Sequence, residues 1–375
     1  MADKKKRGAG ESAGRSGARR RAPLYAAVDL GTNNCRLLIA APQRDRFAVV
    51  DSHSQIARLG EGLAATGRLS DEAIERAMDA LGKIAAKLKA KKVAYVRCIA
   101  TEACRRASNG RDFIARVREE TGLTFKIIDA EEEAFLALVG CHNLIAEEAS
   151  HVLVLDIGGG STELSLARAD PVHAGGLQAL LENPPIECWK SLPIGVVTLT
   201  EAFSHLPEAD AYPAMLAHAK QLINEWDRAE DIRNFFRAGQ AHMIGTSGTI
   251  TCLTGVHLGL SKYRRDKVDG QWMTEKQTTK TIKKLVDAGL DGRGKFPTIG
   301  EDRAGLMLAG CAIIEAAWTL APNGRMRVAD RGLREGLLLS MMKGPKKKPR
   351  RRSKRRRRGS GGRSNGSPVE ARHDG

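Results

Sequence analysis

The sequence predicts an α/β protein built as two similar lobes with a cleft between them, and three observations carry that prediction. The chain repeats itself: Tyr25 to Asn34 (YAAVDLGTNN) and Val152 to Ser161 (VLVLDIGGGS) share one pattern, offset by 127 residues. Each is an apolar strand-like run closing on Asp, an aliphatic residue and Gly, followed by small or hydroxyl residues. Each is then followed by a second apolar run, 37–40 and 164–167, which makes a β-hairpin. After each hairpin, strand-like and helix-like segments alternate, the pattern of an α/β sheet. Finally, the net charge of +17 sits at the ends: residues 1–23 carry +6 and residues 340–375 carry +12, leaving the body at −1. A near-neutral body with 42% hydrophobic residues is long enough to bury large cores.

Taken in order, the first hairpin leads into a strand at 47–51. Ser70-Asp71-Glu72 caps a helix to about Lys91, with Ile74, Ala77, Leu81, Ile84 and Leu88 at helical spacing. Residues 93–100 read as a buried strand, 112–120 as a short helix, 125–128 as a strand, and Glu131 to about Ala149 as a helix. The second half repeats the plan, with strands at 152–156, 162–168 and 186–192. Helices follow at 195–204 and 209–228, then a strand at 242–245 and a helix from Thr249. Helices at 274–288 and 301–321, a strand at 326–329 and a helix at 332–342 complete it. The lobes are thus expected at 24–145 and 146–342, between tails at 1–23 and 343–375.

Both tails are rich in Gly, Ser, Pro, Arg and Lys, so they are expected to be disordered. The run Lys346 to Arg358 has the charge density to attract RNA, a ribosome or polyphosphate, or simply to solubilise the chain. No aromatic is interleaved, so base stacking is not expected there. Seven scattered cysteines without a C-x-x-C pair argue against a zinc site or disulfide framework. With no apolar run of membrane-spanning length, a soluble cytoplasmic protein is expected.

The hairpin turns are the first chemical candidates. Glycine lets backbone N–H groups approach an anion, and successive N–H groups form a phosphate nest. Gly31, Thr32 and Asn33 in one turn, and Gly158, Gly159, Gly160 and Ser161 in the other, are candidate phosphate contacts. Asp29 and Asp156 end their strands, where a carboxylate holds Mg²⁺ or a metal-bound water. Gly245, Thr246, Ser247 and Gly248 also follow a strand and open a helix, a third anion site. Glu163 lies at the mouth of the second turn, where burial of a carboxylate calls for a metal or cation, unless it faces solvent from an edge strand. Arg105 or Arg106, just past a strand end, is placed to clamp a phosphate through its planar fork. Glu131, Glu132 and Glu133 suit the first turn of a helix by charge alone, and one of them is a candidate base for activating water. The glycines of Gly332-Leu333-Arg334-Glu335-Gly336 suit close helix packing.

Together these pieces resemble the exopolyphosphatase / guanosine pentaphosphate phosphohydrolase (Ppx/GppA) family, of the actin-like (ribonuclease H-like) superfold. The resemblance covers roughly residues 24–340. It rests on Asp29 to Asn33, Arg58-Leu59-Gly60-Glu61-Gly62, Thr66 to Ser70, Arg105 to Asn109, Glu132-Glu133-Ala134, Asp156 to Glu163, Gly245 to Thr249 and Gly332 to Gly336. It implies Glu133 as catalytic base, Asp156 and Glu163 as residues for Mg²⁺ and water, and Arg105 as a phosphate contact. The activity implied is release of terminal phosphate from inorganic polyphosphate or conversion of guanosine pentaphosphate in the stringent response, with a homodimer plausible. Phe135 stands where family members often have Arg, which removes one candidate phosphate contact. Nothing after residue 340 reads as a folded domain, so the short two-domain form is expected. The rival expectations are an ATPase or kinase of the same superfold, and a polyphosphate or (p)ppGpp sensor with weak catalysis.

Overall fold

In a computed structural model the protein is described over residues 22–43 and 46–343; the two predicted tails, apart from residues 22, 23 and 343, lie outside the described residues. The chain forms two sheets. The first contains β1 (Tyr25–Leu30), β2 (Asn34–Pro42), β3 (Phe47–Ile56), β4 (Tyr95–Ala100) and β5 (Phe125–Ile127) in the order β3-β2-β1-β4-β5. The second contains β6 (His151–Ile157), β7 (Thr162–Arg168), β8 (Ile186–Leu192), β9 (Ala241–Thr246), β10 (Trp272–Thr274) and β11 (Arg325–Ala329), ordered β10-β11-β9-β6-β7-β8. Each begins as an antiparallel meander and continues through parallel partners of its first strand, β4 on β1 and β9 on β6. The internal repeat is therefore a repeat of topology, and the actin-like two-lobed expectation holds.

The helix Asp71–Ala90 starts where Ser70 Oγ accepts the Ala73 N–H at 3.2 Å. Its buried stripe of Ile74, Ala77, Leu81, Ile84 and Leu88 covers one face of the first sheet together with Phe113 and Val117. Helices built around Ala211, Met215, Leu253, Ile282 and Ile313 cover the outer face of the second sheet. Two helices lie between the sheets. Leu136 of Ala130–Cys141 and Leu337 and Leu338 of Leu333–Lys343 pack on Ala27, Leu38 and Ile99 of the first sheet. Leu138 and Val139 instead meet Val152, Val154 and Ile244 of the second. The final helix thus belongs to the first lobe's core, although the sequence assigns it to the second. Among the described residues no helix is long and apolar enough to cross a membrane.

Several boundaries differ from the sequence reading. The helix expected to run to Ala149 ends at Cys141, because His142–Leu144 tightens into a 3₁₀ turn that feeds β6. Residues 301–321 break into Glu301–Ala304 and Met307–Ala317. The helix Asp170–Glu182 escapes notice because Pro171 and Gly175-Gly176 read as breakers; Gly176 indeed kinks it at φ 57°. The helix Ala229–Arg237 and the three-residue β10 were also hidden from the sequence reading. Tyr95 and Val96 of β4 are exposed, not buried.

Candidate active site

Most of the candidate residues lie at or just beyond the carboxyl ends of parallel strands, the edge where an α/β sheet opens its backbone to a ligand, with Glu163 at the start of the antiparallel β7. From the first sheet, β1 ends with Asp29, β4 leads to Glu102 and Arg105, and β5 leads through Asp129 to the helix carrying Glu133. From the second, β6 ends with Asp156, β9 leads to Ser247, and β11 leads to Arg334 and Glu335.

Asp129 Oδ1 accepts the Glu132 N–H at 2.8 Å, fixing the start of the helix, and the turn then separates the three glutamates. Glu131 is exposed. Glu132 bonds Arg97 at 3.0 Å and pairs with Lys126. Glu133 is buried, and its Oε2 accepts from Arg105 Nη1 at 3.2 Å. Arg105 also donates to Ile128 O at 2.8 Å and to Glu102 Oε2 at 2.8 Å. Its guanidinium, expected on a phosphate, is committed to two carboxylates and a carbonyl. Among the described residues Arg106 pairs with Glu102, at 3.5 Å.

Asp156 and Glu163 are direct cross-strand partners of β6 and β7, so their side chains share one face. Because β7 is an interior strand, Glu163 is only 2% exposed rather than facing solvent. Its Oε1 accepts from Ser161 Oγ at 2.7 Å and Ser191 Oγ at 3.0 Å. Burial, and then the neighbouring Glu163 carboxylate, push Asp156 up to about 8. Glu133 is raised well above the usual carboxylate range, first by burial and then by Glu163, against the opposing charge of Arg105. Burial raises Glu163 against its two hydroxyl donors, and raises Asp29 against the cations Arg36 and Arg334. Carboxylates from both sheets therefore act on one another in one charge-crowded place.

The two hairpin turns touch rather than facing each other across a gap. A Cβ on Gly159 would lie 3.0 Å from Thr32 Cβ and 3.2 Å from Asn33 N, and one on Gly160 would lie 2.7 Å from Thr32 Oγ1. The Gly31 and Gly158 N–H groups close their own turns onto Asn34 O (3.0 Å) and Ser161 O (2.9 Å), so neither is offered to a phosphate. The N–H groups of Thr32, Asn33, Gly159, Gly160 and Ser161 make no backbone hydrogen bond among the described residues. In the third loop Gly245 is a packing residue, since a Cβ there would meet Met326 Sδ at 2.5 Å. Thr246 Oγ1 is spent on Arg331 O at 2.8 Å. Ser247 caps the helix Gly248–His257 by accepting the Ile250 N–H at 3.0 Å, and Gly248 is open on its free side.

Among the described residues no three His, Cys, Asp or Glu side chains converge as a ready-made metal cage. The in-register pair Asp156 and Glu163 still fits Mg²⁺, which takes one or two carboxylates and fills its shell with water and phosphate oxygens.

Arg36 was missed from the sequence. It opposes Asp29 in β2 as Glu163 opposes Asp156 in β7. It lies within electrostatic reach of Asp29, Asp156, Arg303 and Arg334, and burial beside Arg334 lowers its own pKa. Aligning the two hairpins residue by residue would have found it. Arg334 and Glu335 were read only as part of a packing motif, yet both act electrostatically on Asp29.

The sequence profile of the Ppx/GppA phosphatase family matches residues 38–344. The chain is 30% identical over 293 residues to the bifunctional 3-dehydroquinate synthase/phosphatase of Fusobacterium nucleatum subsp. nucleatum. That match covers 74% of this chain and 42% of the relative, so the chain spans less than half of that protein's length. Among solved structures, the Aquifex aeolicus member of the Ppx/GppA family superposes with a TM-score of 0.68 at 27% identity, over 85% of this chain and 97% of that one. An exopolyphosphatase from Cytophaga hutchinsonii shares the fold with a TM-score of 0.73 at 24% identity, over 86% and 98%.

Proposed function

The chain belongs to the Ppx/GppA phosphatase family, and from that premise we propose that it is a Mg²⁺-dependent phosphohydrolase releasing the terminal phosphate of inorganic polyphosphate or guanosine pentaphosphate. The observation that carries the proposal is Glu133, a buried carboxylate with a raised pKa, pinned by Arg105 and facing the Asp156–Glu163 pair of the other sheet.

A carboxylate is an effective general base when its pKa approaches the working pH. Burial and the like charge of Glu163 supply that shift to Glu133, and the charge of Arg105 opposes it. In this role Glu133 orients a water against the terminal phosphorus and takes its proton. The N–H groups of Thr32, Asn33, Gly159, Gly160 and Ser161 bind the phosphate oxygens, while Arg36 and Arg334 offset their charge. Mg²⁺, held by Asp156 and Glu163, would neutralise further phosphate charge. Phosphoryl transfer asks little covalent chemistry of a protein, so positioning and electrostatic stabilisation account for most of the acceleration.

Phosphate release from long-chain polyphosphate, guanosine pentaphosphate and ATP, with Mg²⁺ and with chelator, tests this directly. Release from one or both of the first two substrates, abolished by chelator, is the expected result. Glu133→Gln should lower kcat by on the order of a hundredfold or more while leaving substrate binding intact. A variant within a few-fold of wild type would remove Glu133 as the base, and release from ATP alone would point to an ATPase.

A further inference from the structure

Resting on that reading and deepening it, we infer that Arg58 selects for chain length: its guanidinium holds phosphates beyond the one being hydrolysed, which favours linear polyphosphate over a nucleotide. Arg58 adopts φ 48°, a left-handed backbone conformation that L side chains avoid. Such strain persists only where the surroundings over-determine it. Here they do. The Ala57 and Arg58 N–H groups both donate to Asn33 O at 2.9 Å, and Gly60 N donates to Thr32 O at 2.9 Å. Arg76 closes the far side, donating to Ala57 O at 2.9 Å and to Glu61 at 2.6 Å. The strained turn is thus bolted to the phosphate-binding turn Thr32-Asn33, and its position follows that turn.

What the strain presents is an exposed guanidinium that makes no hydrogen bond or ion pair with any described residue. It lines a cleft of about 740 Å³ between the lobes, together with Asn34, Ser54, Gln55, Asp302 and Arg303. Arg303 lies within electrostatic reach of Arg36, which is itself within reach of Asp29 and Asp156. Cations therefore continue from the hydrolytic cluster into the cleft. No aromatic side chain is among the lining residues, so a purine finds no ring to stack on, whereas a phosphate chain finds guanidinium and amide donors. An elongated polyanion threaded past the terminal phosphate is the ligand this chemistry suits.

Arg58→Gly is the informative variant. Glycine accepts φ 48° without strain, so the turn survives while the guanidinium is lost. KM for long-chain polyphosphate should rise roughly tenfold, the loss of one charge-assisted contact, with a much smaller rise for tripolyphosphate. Arg58→Lys, which keeps the charge but not the fork, should recover part of that loss, and a thermal melt verifies that both variants fold. Equal changes for the two chain lengths, no change, or a larger effect on guanosine pentaphosphate would overturn the assignment of Arg58. Wild-type protein that hydrolyses guanosine pentaphosphate alone would also overturn it, whereas protein that hydrolyses none of these substrates would remove the proposed function on which it rests.

Discussion

Three adjacent glutamates at the start of one helix meet three different fates, and the sequence alone could not sort them. Each step along a helix turns by about a quarter of a circle, so Glu131 reaches solvent, Glu132 reaches Arg97 and Glu133 enters the interior. Which one points inward depends on where Asp129 caps the helix. Residue-scale burial also sets a pH limit at His242, whose Nε2 accepts the Ala146 N–H at 3.0 Å while Nδ1–H donates to Met243 O. Burial pushes this imidazole down to about 4, with Arg325 and Arg327 adding to the effect. The unfolded chain takes up the proton near pH 6.5 and the folded chain only near pH 4, so the contribution of His242 itself falls as pH drops through that window, by up to about 3 kcal/mol. Asp156, raised to about 8, works the other way, because the folded chain holds its proton where the unfolded chain does not. The imidazole is isolated by comparing urea midpoints of wild type and His242→Gln, whose gap at pH 7 should narrow at pH 5; a constant gap would clear His242 of responsibility.

At the scale of elements, most of the strands and long helices were legible because hydrophobic period and caps agreed. The helix at 170–182 was not, because its Pro and paired Gly imitate a loop. The glycines of the 332–336 motif were read correctly as packing residues. A Cβ on Gly336 would lie 1.9 Å from Leu136 O, and one on Gly140 would lie 2.0 Å from Gly332 O. The two helices between the sheets therefore cross backbone to backbone, with no side chain to yield. Gly336→Ala should destabilise by about 3 kcal/mol, the upper part of the range for overpacking. Gly82→Ala, in an open stretch of the helix Asp71–Ala90, should instead stabilise by up to about 1 kcal/mol. Denaturant titration of both variants checks the contrast, and equal effects would mean that the crossing relaxes freely.

Across the whole molecule, the duplicated topology was visible in the repeat, whereas the contact between lobes was not, since no local pattern encodes it. Beyond the touching turns, Glu201 of the helix Val196–Ala202 accepts the Gly62 N–H at 3.0 Å from the opposite lobe. Glu201→Ala should loosen this closure, seen as faster hydrogen exchange at Gly62 and a larger radius of gyration in small-angle scattering. Unchanged exchange and size would show that the turns hold the lobes by themselves. The register of the hairpins has a consequence of another kind. Backbone and topology treat the two halves as equivalents, but the residue opposing the strand-end aspartate is Arg36 in one and Glu163 in the other. The frame is symmetric and its charge is not. On the proposed reading a polyanion lying between the halves would be drawn toward the Arg36 flank and repelled from the Glu163 flank, so the molecule would give direction to a ligand that has none of its own.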